Sequence, residues 1–133
     1  MGGERLDPKR LEPSPETTTI ADQGLVIRRC SRGGSISLML GGELDSYSSH
    51  LLEGRMRQEE SDGCSKLVLD LSELEFVDSS GLRTLIEAAK RASAGGWRLD
   101  VVNARGRVRQ VFDITDMDTL LEYCQRPPER SPR

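Results

Sequence analysis

Aromatic residues are scarce in this chain. Trp97, Phe76, Phe112, Tyr47 and Tyr123 are all there are, 4% of the sequence, which excludes the stacked aromatic platform of a single-strand nucleic-acid binder. Positive charge is not in surplus either: 19 Lys and Arg stand against 22 Asp and Glu, a net charge of −3. The electrostatic footprint for a phosphate backbone is therefore missing, and no direct nucleic-acid partner is expected. No apolar run approaches the roughly 18–20 residues of a membrane span, so the expectation is a soluble protein. Cys30, Cys64 and Cys124 are odd in number, far apart and without a Cys-x-x-Cys pair. They make neither a disulfide framework nor a zinc site and suit a reducing cytoplasm. His50 is the single histidine, so a multi-histidine metal site is excluded and any Ser-His-Asp triad would have to pass through it. Neither a dinucleotide-binding glycine motif, nor a P-loop, nor a Gly-x-Ser-x-Gly elbow is present. No cofactor is expected. Met1 to Leu11 mixes charges of both signs without an apolar stretch, unlike a signal peptide.

What is present fits one domain with loose ends. The chain has 133 residues, the size of a single domain. Residues 1–24 hold five apolar side chains and three prolines, too little to offset ordering entropy, and read as a flexible N-terminal extension. Residues 125–133, with three prolines and three arginines, read as a flexible C-terminal tail. The folded unit is then 25–124. Within it, 25–30 and 35–40 read as strands around a Ser31-Arg32-Gly33-Gly34 turn. Tyr47, Leu51, Leu52 and Met56 fall at helical spacing, and Leu67-Val68-Leu69 reads as a strand of a sheet covered on both faces. Residues 79–93 carry the strongest helical period, with Leu82, Leu85, Ile86 and Ala89 on one side and Gly95-Gly96 as the stop. Trp97, Leu99 and Val101 alternate as a strand, Val108, Val111 and Phe112 mark a further helix, and Leu120-Leu121 fits a short helix or a strand. This order implies an α/β fold, a mixed central β-sheet flanked by α-helices, parallel in its middle.

One loop stands out chemically: Val77-Asp78-Ser79-Ser80-Gly81-Leu82, between a strand and the best helix. Its plainest reading is an N-cap, since Asp and Ser accept hydrogen bonds from first-turn amides. Asp45 and Ser46 fit the same capping role before the helix near Tyr47. Local chemistry does not separate Ser79 from Ser80 as a reactive hydroxyl. Together, however, several segments resemble the STAS domain, and within it the bacterial anti-sigma factor antagonists. They are Gly42-Glu43-Leu44-Asp45 after a strand, Leu67 to Ser72 leading through Phe76-Val77 into Asp78-Ser79-Ser80-Gly81-Leu82, Gly95-Gly96, and Val108-x-x-Val111-Phe112. The resemblance covers about residues 25–122.

It implies a STAS-like single domain that acts as a phosphorylation switch rather than an enzyme. Ser79 matches the serine that a kinase partner, itself the anti-sigma factor or a related switch kinase, phosphorylates in the family. The unphosphorylated form binds the anti-sigma factor and frees a sigma factor, and a metal-dependent serine phosphatase resets it. Asp45, Asp78, Ser80 and Gly81 are then expected to form the partner-binding loop region around Ser79, with Gly81 leaving a partner's approach clear. Residues 1–24 match nothing in the family pattern, and Ser46-Tyr47-Ser48-Ser49 after the aspartate add hydroxyls to the expected partner surface.

Two other classes remain. One is a STAS module of a lipid-transport or small-ligand-sensing complex, in which the serine is structural. The other is a hydrolase pairing Ser79 or Ser80 with His50, which lies on a different element with no recognisable motif around it. The Asp-Ser-Ser-Gly run argues against the first, and the second is disfavoured because it rests on the single histidine.

Overall fold

A computed structural model describes residues 16–126. Five strands and four helices follow in the order β1 (Glu16–Asp22), β2 (Leu25–Arg32), β3 (Ser35–Leu44), α1 (Ser49–Ser61), β4 (Lys66–Val77), α2 (Ser79–Gly95), β5 (Arg98–Val102), α3 (Gly106–Thr115) and α4 (Met117–Gln125). The strands lie in one sheet in chain order. β1, β2 and β3 are antiparallel neighbours, whereas β3–β4 and β4–β5 are parallel, each crossover passing through a helix.

The expected turn is tighter than the Ser31–Gly34 reading: Ser31 and Arg32 belong to β2, and Arg32 pairs with Ser35 across the two-residue loop Gly33-Gly34. The first strand departs from expectation. Residues 16–22 are β1 rather than part of a flexible extension, paired along their length with β2 from Glu16↔Ser31 to Asp22↔Leu25. The turn between them sets Gln23 at φ 53° and Gly24 at φ 82°, the primed geometry that matches strand twist. β1 is held by main-chain pairing with β2, and its Thr18 and Thr19 are exposed, which is why apolar content misses it. Residues 1–15 lie outside the described residues, as do 127–133 of the expected tail. Gln125 does not belong to a tail: it ends α4, and its side-chain amide donates to Leu99 O and accepts from Leu99 N, both at 2.9 Å.

The core is one cluster. β2 contributes Leu25 and Ile27, β3 Ile36, Leu38 and Leu40, β4 Leu67, Leu69 and Leu71, and the helices Leu52, Met56, Leu85, Ala88, Ala89, Val108, Phe112 and Leu121. Burial in β4 alternates residue by residue: Leu67, Leu69 and Leu71 are buried while Val68 and Asp70 are half-buried. The sheet is therefore packed fully on one face, not on both as the Leu-Val-Leu run suggests. Ion pairs join the helical layer to the sheet and to itself. Arg29 of β2 donates to the buried Glu59 of α1, and Arg91 of α2 forks onto Glu60 at 2.9–3.0 Å.

Candidate functional site

The carboxyl ends of β3 and β4 bring the two singled-out segments together. β3 bulges at Gly42, whose φ of 88° suits glycine. A Cβ there would stand 2.2 Å from Gly24 O, the carbonyl that accepts from Glu43 N at 3.0 Å. Beyond the bulge Leu44 pairs with Val77, and Asp78 N donates to Leu44 O at 3.2 Å. Asp45 and Ser79 thus leave adjacent parallel strands at the same end of the sheet.

Asp45 organises the turn into α1. Its Oδ1 accepts from Ser48 N and Tyr47 N, both at 3.0 Å. In return Ser48 Oγ accepts from Asp45 N at 2.9 Å and donates to Glu43 O at 2.8 Å. The amide of Ser48, then desolvation acting in the opposite sense, then the amide of Tyr47 decide the carboxyl's acidity, and the net result lies below the ordinary value of 3.8. Asp45 therefore braces the turn that leads into α1 instead of capping the helix as expected: the N-cap position is Ser48, and no side chain caps the first turn. Two further expectations are revised: Tyr47 lies in the turn before α1 and is exposed, and Ser48 and Ser49 are buried rather than part of the surface.

Asp78 caps α2, accepting from Gly81 N at 3.1 Å. Ser79, the first residue of the helix, is exposed, and Ser80 is half-buried with its carbonyl accepting from Thr84 Oγ1 at 3.0 Å. Gly81 is buried, contrary to its expected place on an open partner surface. A Cβ at Gly81 would lie 2.8 Å from Leu44 Cγ and Val77 Cγ2 and 2.9 Å from Leu44 O. The missing side chain lets the start of α2 close against the two strand ends. Phe76, two residues before the cap, is 41% exposed and Tyr47 is 74% exposed, so aromatic surface flanks the serine loop. Sequence reasoning placed Tyr47 on a helix face and gave Phe76 no surface role; their position beside the two matching segments was the available signal.

The chemistry open to this arrangement is that of an accessible hydroxyl at a helix start, one residue after the Asp78 cap. His50, exposed in the first turn of α1, makes no hydrogen bond to Ser79 or Ser80. Among the described residues no three His, Cys, Asp or Glu side chains gather in a metal-binding group, and no helix is long and apolar enough to cross a membrane.

Comparison with known proteins places this geometry in context. Residues 27–122 match the family model described as Mlab, STAS domain. The anti-sigma-B factor antagonist of Staphylococcus aureus is 27% identical over 82 residues, 62% of this chain and 76% of that protein. Among solved structures, an anti-sigma factor antagonist from Mycobacterium paratuberculosis superposes with a TM-score of 0.62 at 24% identity, over 74% of this chain and 84% of its own. The anti-sigma factor antagonist SpoIIAA in its unphosphorylated form gives a TM-score of 0.59 at 18% identity, over 79% and 84%.

Proposed function

We propose that this chain, which belongs to the STAS domain family, is an anti-sigma factor antagonist that is switched at Ser79. Unphosphorylated, it binds an anti-sigma factor in the cytoplasm and so releases a sigma factor. A serine kinase, the anti-sigma factor itself or a related switch kinase, transfers phosphate to Ser79, and a metal-dependent serine phosphatase removes it. The observation that carries this reading is the exposed Ser79 hydroxyl at the first position of α2, one residue beyond the Asp78 cap and on the strand end next to Asp45.

Phosphate adds about −1.5 to −2 charges. The amides at the helix start favour that charge, whereas Asp78 and Asp45 oppose it. In the free protein water screens the repulsion. In a complex that excludes water the charge is costly to desolvate, and a few kcal/mol shift affinity by two or more decades. The loop can switch binding with no change of fold. Ser80 is the poorer acceptor because it is half-buried.

Incubation with a candidate anti-sigma kinase and ATP, read by intact mass, tests the assignment. One phosphate is expected on the unaltered protein and on Ser80→Ala, the latter at a reduced rate, and none on Ser79→Ala. Full labelling of Ser79→Ala would overturn it. Capture of the anti-sigma factor by the unphosphorylated chain separates this role from that of a STAS module in another complex.

A further inference from the structure

Among the described residues, the large apolar side chains left exposed fall into two groups. Tyr47 and Phe76 flank the serine loop, and Val26 opens β2. The others gather at the corner where α3 meets α4: Ile114 is 83% exposed, Leu120 40% and Tyr123 65%. The corner is tight, since Asp116 alone joins the two helices, at φ 58°. Both helices give their other side to the core, α3 through Val108 and Phe112 and α4 through Met117 and Leu121. At 3.6 residues per turn, Ile114 stands on the far side of α3 from Phe112, and Tyr123 on the far side of α4 from Leu121. Leu120, three residues before Tyr123, is its neighbour on the helix surface. Apolar side chains grouped in this way on an outer face mark a contact surface.

The charges around the face say what it binds. Residues 113–125 carry Asp113, Asp116, Asp118 and Glu122 and no basic side chain. Arg109 pairs with Asp113 and Asp118, whereas Asp116 and Glu122 meet no cation among the described residues. The Tyr123 ring already accepts a cation, with the Arg126 guanidinium 5.7 Å from its centroid. Such a face repels an anionic membrane surface and nucleic acid. A second copy packed about a two-fold axis would set these carboxylates against themselves.

We infer that the outer face of the α3–α4 corner docks a basic amphipathic helix of a partner protein. Its apolar side chains lie against Ile114, Leu120 and Tyr123, and its arginines meet Asp116, Glu122 and the Tyr123 ring. The apolar area is small, so the complex is transient rather than obligate. α4 packs on α2 with its buried side, and the docking face therefore points away from the helix that Ser79 begins. Contact here does not depend on the phosphorylation state.

Amide NMR on the isotope-labelled full chain tests this with three blocked peptides of about 18 residues, five helical turns. The first carries leucine on one face and arginine on the other. In the second glutamate replaces the arginines, and in the third glutamine replaces the leucines. The first is expected to shift Ile114, Asp116, Leu120 and Tyr123 and to bind roughly tenfold tighter than either control. Its affinity should fall as salt rises from about 50 to 300 mM. Tyr123→Ser and Glu122→Gln, both at exposed positions, should each weaken it by at least roughly threefold with the melting transition retained, and Ser79→Asp should leave it unchanged. Equal binding of either control peptide, no shifts up to about 1 mM, or shifts centred on the serine loop would overturn the inference. So would shifts of Leu120 and Tyr123 with protein concentration alone, or contacts from residues 127–133 to Tyr123 in the free chain. A second copy or the chain's own end would then hold the face.

Discussion

Gly81 and Asp45 hold the turns at two neighbouring strand ends by opposite means, one through absent atoms and the other through charge. At Gly81 a methyl group would stand 2.8 Å from two core side chains and 2.9 Å from a main-chain oxygen. Neither β3 nor β4 can yield, because both belong to the core sheet. Gly81→Ala is therefore expected to cost about 1–3 kcal/mol by overpacking, seen as a lower urea midpoint with an unchanged slope; a midpoint equal to that of the unaltered protein would contradict the close approach. Asp45 acts through its carboxylate, which accepts from the amides of Ser48 and Tyr47 and is held below 3.8. A carboxyl with a depressed folded-state value contributes stability at pH above its unfolded value and loses that contribution as pH falls through the folded one. Asp45→Asn should thus be less stable than the unaltered chain near neutrality, and the two should converge as pH drops below 3.8. Urea titrations across about pH 3 to 7 measure this, and a gap independent of pH would show that the carboxylate's charge plays no part.

Among the elements, α4 shows how a helix can finish a sheet. Its last residue, Gln125, serves Leu99 as a neighbouring strand would. Gln125→Ala leaves that N–H and C=O to water, at about 0.5–1.5 kcal/mol for each net hydrogen bond. Amide exchange at Leu99 should accelerate while exchange in α2 changes far less; uniform acceleration would point to global destabilisation instead. The same residue marks a limit of sequence reading. α2 was legible because its apolar period, its Asp78 cap and its Gly96 stop at φ 76° are local signals that agree. The parallel middle of the sheet was legible from alternating strands and helices. Gln125 was not, since an amide matched to a distant strand leaves no periodic trace. β1 escaped for a related reason: ladder hydrogen bonds hold it, and Gln23 at φ 53° is not a residue that announces a tight turn. At Gly81 the sequence displays a glycine but not the leucine and valine behind it, so the loop's location was readable and its packing was not.

For the molecule as a whole, the question is whether a charge can be placed at the serine loop without disturbing the fold. The core is a single cluster running from Leu25 to Leu121. Ser79 stands outside it, exposed and with no hydrogen bond from its side chain among the described residues. Surface substitutions of that kind usually change stability by about ±0.5 kcal/mol, and the helix-start amides favour a negative group there. Ser79→Asp is therefore expected to melt within a few degrees of the unaltered protein. Its affinity for the proposed anti-sigma partner should nevertheless fall by roughly tenfold or more, a loss of at least about 1.4 kcal/mol, since the added carboxylate must be desolvated next to the Asp78 cap when such a complex closes. Ser79→Ala should bind as the unaltered chain does and resist inactivation by ATP. Titration calorimetry on the three proteins, with melting curves alongside, measures both quantities. Equal affinities for Ser79→Asp and the unaltered chain would remove the switch from this loop, and a collapsed melting transition would make Ser79 a structural residue.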